Sequence, residues 1–230
     1  MSAERCVLIF LKSPDPGRVK SRLSHDIDEE VVLSLYRNFG LDLLDTLRKG
    51  RYAFKFFFYP PESEEKISNW LGKDCSYAPQ RGNDLGERMK NAFNQTFSEG
   101  FLTVLLIGSD IPDLTSEILQ EAFEFNGNDA VIGPAHDGGY YLIGFKNNTF
   151  LPEIFEKIPW STDVVFERTM EIFKKHHHKV CILPKCRDVD RIEDLRELIE
   201  RNGYSEFANS RTMTFISKNR NKLFKEDETH

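Results

Sequence analysis

The chain has 230 residues, of which 40% are hydrophobic and 30% are charged, the composition of an ordinary globular protein. Its formal net charge of -6 argues against a general nucleic-acid-binding protein, because such proteins usually carry a basic face. The longest apolar runs, around residues 54–59 and 103–107, are too short to cross a bilayer, so no membrane association is expected. No signal-peptide cleavage site is recognisable, and we therefore expect a cytoplasmic location.

The first half of the chain alternates between strand-like and helix-like segments. An apolar run predicts a strand at residues 7–11, and apolar residues at helical spacing predict a long helix that ends before Gly50. Further strands are predicted at residues 52–59, shortly before Gln80, and at 103–107. Further helices are predicted at residues 62–71, 85–97 and 116–123, the last with Thr115 as its N-cap.

The second half continues the alternation, with strands predicted at residues 130–133, 140–145 and 180–183 and helices at 166–173 and 192–199. Strands that alternate with helices predict a single Rossmann-like α/β sandwich of three layers with a mostly parallel sheet. No helix separates the strands near residues 137–145, so one of them is expected to run antiparallel in a mixed sheet. Residues 1–204 are expected to form one domain, and residues 205–230 a polar, loosely ordered tail.

The strand at 103–107 ends in small residues followed by the carboxylate of Asp110. Open α/β sheets bind ligands just beyond the carboxyl ends of their strands, and Gly108 and Ser109 leave room there. A carboxylate at this position suits a hard divalent cation such as Mg²⁺, which in turn suits a phosphorylated substrate. We therefore predict Asp110 as a metal ligand, with Ser109 beside the nucleotide.

A loop rich in basic residues follows the first strand. Lys12, Arg18, Lys20 and Arg22 bring four cations together, and Gly17 is free to adopt unusual backbone dihedral angles. Such a loop can wrap a phosphate chain by charge and by backbone N–H groups, although solvated charges on a surface loop are an equally good explanation. The chain has neither the P-loop pattern nor the dinucleotide-binding glycine pattern.

Residues 137–140 combine a carboxylate, two glycines and an aromatic side chain. Asp137 and Gly138 are typical of a hairpin turn. Paired glycines at Gly138 and Gly139 also allow a ligand to approach the backbone closely, and a turn alone does not explain Tyr140 and the tyrosine after it.

Two further carboxylates, Asp188 and Asp190, lie between the last predicted strand and the next helix. Their alternate spacing makes them point the same way if extended backbone continues. One of them could meet the cation held by Asp110 while the other caps the helix. The segments 81–88 and 160–163 are weaker candidates, in which Trp160 could form a wall of a pocket and Ser161 or Thr162 could cap a helix.

Six ordered motifs together resemble the glycosyltransferase-A-like (GT-A) superfamily of nucleotide-diphospho-sugar transferases and nucleotidyltransferases. The nearest resemblance is to the domain-of-unknown-function 2064 family, described as glycosyltransferase-like. The motifs lie at residues 14–23, 84–89, 108–114, 137–144, 160–162 and 188–195.

The resemblance implies roles for individual residues. Gly17, Arg18, Lys20 and Arg22 would hold nucleotide phosphates, and Asp110 would bind the metal. A second metal contact would come from Asp188 or Asp190, and the glycine pair, with Asp137 and Tyr140 beside it, would line the acceptor side.

The expected function is that of a transferase dependent on Mg²⁺ or Mn²⁺, acting on a nucleotide or nucleotide-sugar donor and a small-molecule acceptor. Lys20, Arg22 and Asp110 are the predicted catalytic residues, and Lys12 and Ser109 are added as nucleotide contacts. Glycosyl transfer, nucleotidyl transfer with release of pyrophosphate, and a non-catalytic nucleotide-binding module remain open. The sequence does not fix the oligomeric state.

Overall fold

A seven-stranded sheet runs through the middle of the computed structural model, which describes residues 4–224. Every strand predicted from the sequence is present. The strands are β1 (Arg5–Lys12), β2 (Ala53–Tyr59), β3 (Ser76–Pro79), β4 (Thr103–Gly108), β5 (Ala130–Pro134), β6 (Tyr140–Lys146) and β7 (Val180–Ile182).

The strand order is β3-β2-β1-β4-β6-β5-β7. β6 pairs antiparallel with both β4 and β5, whereas the other pairs are parallel. This confirms the mixed, mostly parallel sheet expected from the missing helix before residue 140. The α/β sandwich is therefore the fold of this chain.

Helices cover both faces of the sheet. On β1, Val7 and Ile9 face one hydrophobic core while Cys6 and Leu8 face another, which explains why residues 6–11 of the strand are all apolar. The helices are α1 (Glu29–Arg48), α2 (Glu64–Leu71), α3 (Leu85–Ser98), α4 (Ser116–Phe123), α5 (Val165–Lys175), α6 (Ile192–Asn202), α7 (Arg211–Lys218) and α8 (Arg220–Leu223). Side chains of α1, α2 and α4 contribute to the first core, and side chains of α3 and α5 to the second.

The segment after α6 differs from the loosely ordered tail that was expected. Ile216 of α7 and Leu223 of α8 are buried in a third core with side chains of α1 and α6. The backbone N–H groups of Arg211 and Thr212 both donate to the buried carboxylate of Asp42 on α1. The segment is polar in sequence, but a carboxylate on another helix satisfies its N-terminus. Residues 225–230 lie outside the described part of the chain.

The sheet register aligns the ends of the strands that carry the candidate residues. Lys12 pairs with Tyr59 and Phe10 pairs with Gly108, so β1, β2 and β4 end at one edge. Because β6 is antiparallel, its first residues start at this same edge, where Leu142 pairs with Ile107. Within residues 4–224, no helix combines the length and the apolar character needed to span a membrane.

Candidate active site

A cleft of about 810 Å³ opens at this edge of the sheet. All the site residues predicted from the sequence line it except Gly17 and Gly138. The predicted residues in its lining are Lys12, Arg18, Lys20, Arg22, Ser109, Asp110, Asp137, Gly139, Tyr140, Asp188 and Asp190.

Lys20 stands at the centre of the cleft's charged groups. Its Nζ lies 2.5 Å from Oδ1 of Asp110 and 2.9 Å from Oδ1 of Asp190, and its side chain is only 3% exposed. These contacts join the loop after β1, the turn after β4 and the segment before α6. The basic loop and the strand-end carboxylate are thus in direct contact.

The ionisation of this triad is set by its ion pairs. Burial alone would lower the pKa of Lys20, but Asp110 and Asp190 outweigh burial and hold that pKa above its ordinary value. Burial would likewise raise the pKa of Asp190, but Lys20 and then Arg22 hold it below its usual value. At neutral pH, Lys20 and Asp190 are therefore charged.

The structure answers the question whether Asp190 caps the following helix. The N-cap of α6 is Arg191, and the Asp194 carboxylate accepts hydrogen bonds from the backbone N–H groups of Asp190 and Arg191. The Asp190 side chain instead faces Lys20 and lies 3.4 Å from Nη1 of Arg22. Neither Asp188 nor Asp190 is needed as a cap.

Asp188 has a different environment. Burial, followed by the charges of Asp137 and Asp190, raises the pKa of Asp188 to about 6. Its carboxylate therefore lies in the cleft among like charges that outweigh the opposing charge of Lys20. A bound cation would relieve this repulsion.

These carboxylates fit a hard divalent cation by their donor chemistry. Asp110 is 48% exposed to the cleft although one of its oxygens contacts Lys20. Among residues 4–224, no three His, Cys, Asp or Glu side chains are arranged as a complete metal cage. Mg²⁺ commonly takes one or two protein carboxylates and completes its shell with water and substrate phosphates, so an incomplete cage is compatible with that role.

The turn before β6 is built by close backbone packing. Gly138 has φ +89°, and a Cβ atom there would lie 2.0 Å from the carbonyl oxygen of Asp163. The carbonyl of Gly138 accepts a hydrogen bond from the backbone N–H of Phe166, and Oδ1 of Asp137 accepts one from the N–H of Gly139. Gly138 thus packs the turn against the segment before α5, while Gly139 and Tyr140 face the cleft.

Gly17 lies beside the cleft rather than in its wall. Its φ of +68° lies in the left-handed region that favours glycine, and a Cβ atom there would lie 3.1 Å from Oε1 of Glu29. Gly17 therefore shapes the basic loop, and the side chains of Lys12 and Arg18 reach the cleft from that loop.

Tyr36 is a cleft residue that sequence reasoning missed. Its hydroxyl accepts a hydrogen bond from the backbone N–H of Lys12 and lies 3.3 Å from Oγ of Ser109. Burial raises the pKa of this hydroxyl to about 12, so it stays protonated. In the sequence, Tyr36 lies among the regularly spaced apolar residues of α1, a pattern that indicates core packing and not a cleft contact.

A mixed aromatic and basic wall closes the side of the cleft formed by β2 and α3. The guanidinium carbon of Arg88 lies 3.9 Å from the centroid of the Tyr59 ring, and its Nε donates to the carbonyl of Gly82. Buried Gln80, which follows β3, donates its side-chain N–H groups to two backbone carbonyls and also lines the cleft. The position of Tyr59 at the end of β2 and of Gln80 directly after β3 was the available signal.

Trp160 lines the cleft next to Tyr140, with 6.4 Å between their ring centroids, as expected for a pocket wall. The capping role considered for Ser161 or Thr162 is wrong. The N-cap of α5 is Val164, which makes no side-chain capping bond, and Thr162 Oγ1 instead donates to the carbonyl of Pro159.

Residues 43–162 match the model of a family described as an uncharacterized protein conserved in bacteria, DUF2064. The chain belongs to this family. None of the curated proteins compared with it matches significantly.

One solved structure is similar to this chain over nearly its whole length. The crystal structure of a "putative nucleotide-diphospho-sugar transferase" from Desulfovibrio desulfuricans G20 is 39% identical, covers 96% of this chain and 97% of its own, and has a TM-score of 0.93.

Two more distant structures share the fold alone. CMP:2-keto-3-deoxy-manno-octonic acid synthetase complexed with CTP is 10% identical, with 86% and 99% coverage and a TM-score of 0.50. Rv0371C of Mycobacterium tuberculosis H37Rv complexed with manganese is 14% identical, with 86% and 99% coverage and a TM-score of 0.52. The family and its neighbours place the chain among nucleotide-diphospho-sugar transferase folds.

Proposed function

We propose that this protein is a divalent-cation-dependent transferase that moves a sugar from a nucleotide-diphospho-sugar donor to a small-molecule acceptor. The observation that carries the proposal is the contact of Lys20 with Asp110 and Asp190 inside one cleft. It brings a phosphate-binding cation and candidate metal-binding carboxylates to the same place. The relative from Desulfovibrio supports the substrate class.

The basic loop is the donor-binding part of the proposed site. Lys12 and Arg18 face the cleft, and neither has a carboxylate within 4 Å in the described part of the chain, so both are available for the donor phosphates. Lys20 and Arg22 would add positive charge where negative charge develops on the leaving nucleoside diphosphate.

Asp110, together with Asp188 or Asp190, would hold Mg²⁺ or Mn²⁺ against the donor phosphates. Such a cation neutralises charge on phosphate oxygens and so makes the nucleoside diphosphate a better leaving group. The manganese complex of a protein with the same fold supports this choice of ion.

The acceptor would bind at the other side of the cleft. Asp137, Gly139 and Tyr140 line this side, and Trp160 stands next to Tyr140. The close packing of Gly138 on Asp163 fixes the turn, so an acceptor held there would meet the donor in a constant orientation.

Nucleotidyl transfer is the second candidate, and the shared fold with a CTP-bound synthetase favours it. The acceptor would then attack the α-phosphorus of a nucleoside triphosphate, and pyrophosphate would leave. The same basic loop and carboxylates would serve this reaction.

The two reactions are separated by the product they release. The purified protein is incubated with each nucleotide sugar or nucleoside triphosphate, Mg²⁺ and a panel of small-molecule acceptors, and nucleoside diphosphate and pyrophosphate are measured. Nucleoside diphosphate with transferred sugar supports the first proposal, and pyrophosphate supports the second. Thermal stabilisation by a nucleotide without turnover of any donor would instead identify a non-catalytic binding module and overturn both.

A further inference from the structure

The ammonium group of Lys20 lies where a metal cation between Asp110 and Asp190 would lie. One oxygen of each carboxylate contacts it, at 2.5 and 2.9 Å, and the side chain is almost fully buried. Arg22 differs in both respects, because its side chain is 55% exposed and, within residues 4–224, its one carboxylate contact is Asp190, at 3.4 Å. Of these two cations, Lys20 alone bridges the pair.

The backbone holds Lys20 in this position. Lys20 has φ +49°, a left-handed conformation that costs energy in a residue with a Cβ atom. Its carbonyl oxygen accepts hydrogen bonds from both the backbone N–H and Oγ of Ser24. These local bonds and the two ion pairs together offset the cost of that conformation and hold the Lys20 side chain between the two carboxylates.

We propose that Lys20 is a resident cation that blocks metal binding in the free protein, so that a divalent cation enters only when nucleotide phosphates draw the ammonium away. The inference rests on the proposed function, because it takes the nucleotide and the divalent cation as ligands of this cleft. It adds an order of binding that the function alone does not require.

The charges explain why the exchange needs a phosphate. A divalent cation and an ammonium group repel each other and compete for the same two oxygens. Moving Lys20 off the carboxylates without a new partner would leave a buried charge unpaired, which is strongly unfavourable. A nucleotide phosphate supplies that partner, so nucleotide and metal each favour binding of the other.

Binding of Mn²⁺ alone tests the proposal directly. Free Mn²⁺ is titrated into the nucleotide-free protein and followed by electron paramagnetic resonance, for the wild type and for Lys20→Met. We expect weak binding to the wild type and binding at least about tenfold tighter to Lys20→Met. Adding Asp110→Asn to Lys20→Met should remove the tight site.

Arg22→Met is the matched control, since it removes one positive charge next to Asp190 without uncovering the carboxylate pair. Its exposed contact predicts a change of no more than about threefold. Equal tightening in both variants would reduce the role of Lys20 to general electrostatics and overturn the proposal. Unchanged Mn²⁺ affinity in Lys20→Met would also overturn it.

Lys20→Arg covers the case in which Lys20→Met folds poorly. It keeps the charge, so we expect it to bind Mn²⁺ as weakly as the wild type, and tight binding would contradict the proposal. In thermal unfolding, Mn²⁺ should raise the melting temperature of Lys20→Met more than that of the wild type. These measurements contain no nucleotide, so they test this inference separately from the proposed function. If the wild type turns over a donor but Lys20→Met does not bind Mn²⁺ more tightly, this inference is wrong and the proposed function is unaffected.

Discussion

The backbone N–H of Val189 donates a 2.9 Å hydrogen bond to the carbonyl oxygen of Asp110. This bond ties the turn after β4 to the segment that carries Asp188 and Asp190. Val189 is also fully buried in the core formed with α1 and α6. The backbone segments that carry the carboxylates of the cleft are therefore held together by main-chain and core contacts, independently of any ligand.

Asp110→Asn should abolish the metal-dependent part of nucleotide binding. The substitution keeps the shape of the side chain but removes the charge that a divalent cation needs. The measurement is the thermal shift produced by nucleotides and nucleotide sugars with and without Mg²⁺. A ligand at a hundredfold excess over its dissociation constant stabilises by about 2.7 kcal/mol, which gives a readily measured shift.

Asp113→Asn is the matched control for that experiment. Asp113 lies three residues further on, but its carboxylate binds Arg201 and Asn202 instead of facing Lys20. We expect lower stability with an unchanged metal-dependent shift. If Asp110→Asn behaves in the same way as this control, the metal assignment of Asp110 is wrong.

Gly138→Ala should destabilise the protein strongly. The new Cβ atom would meet a backbone carbonyl at 2.0 Å, in addition to the cost of φ +89°. Gly127→Ala isolates the second effect, because Gly127 has φ +78° but, apart from its two chain neighbours, no described residue has an atom within 4 Å of its Cβ position. We expect a loss of about 1 kcal/mol for Gly127→Ala and about 2 kcal/mol or more beyond that for Gly138→Ala in chemical denaturation. Equal losses would show that the turn can move away from Asp163.

The strand ends that build the cleft were predictable, because buried strands leave apolar runs and the small polar turns after them are equally visible. The ion pair between Lys20 and Asp110 was not predictable from spacing alone. It depends on the register of β1 against β4 and on the left-handed backbone conformation of Lys20, which no local sequence pattern predicts. The resemblance to a known family predicts that Lys20 and Asp110 belong to one site, but it does not predict their direct contact.

Other features of the structure could not be predicted from the sequence, because the residues that they contact lie far away along the chain. Helix α7 is stabilised by Asp42, and Tyr36 reaches from an apolar helix stripe to Lys12 and Ser109. Apolar residues at helical spacing predict that Tyr36 belongs to the core. The same pattern does not indicate that its hydroxyl group contacts Lys12 and Ser109. The same holds for Asp190. Its position just before a helix favours a capping role in the sequence, but in the structure Asp194 accepts the hydrogen bond at the start of α6.

Asp188→Asn should stabilise the metal-free protein at pH 7.5. The pKa of Asp188 is raised to about 6 in the folded protein, whereas an unfolded chain has a value near its ordinary 3.8. The folded state therefore binds this proton more tightly, and the stability that Asp188 contributes below pH 4 is lost as the pH rises through 6. Allowing for its partial exposure, we expect a gain on the order of 1 kcal/mol from the substitution.

Denaturant titrations with a chelator present, at pH 5 and pH 7.5, measure both the size and the sign of the change in the free energy of unfolding. The gain for Asp188→Asn should shrink at pH 5. Asp190→Asn should do the opposite and lose stability at pH 7.5, since ion pairs with Lys20 and Arg22 lower the pKa of that carboxyl. Stabilisation by both substitutions would mean that Lys20 is not paired as described.

Asp42→Asn should detach the C-terminal helices from α1. The buried carboxylate accepts hydrogen bonds from the backbone N–H groups of Arg211 at 3.0 Å and Thr212 at 2.8 Å. An amide would turn a donor toward one of these N–H groups, so we expect a loss of about 2–3 kcal/mol and faster amide exchange in α7. Asp45→Asn is the control: its exposed carboxylate pairs with the Arg211 side chain, so it should cost less than about 1 kcal/mol. Equal effects of the two substitutions would place the anchor of α7 in its apolar contacts, with Ile216 and Leu223 rather than Asp42 holding it on α1.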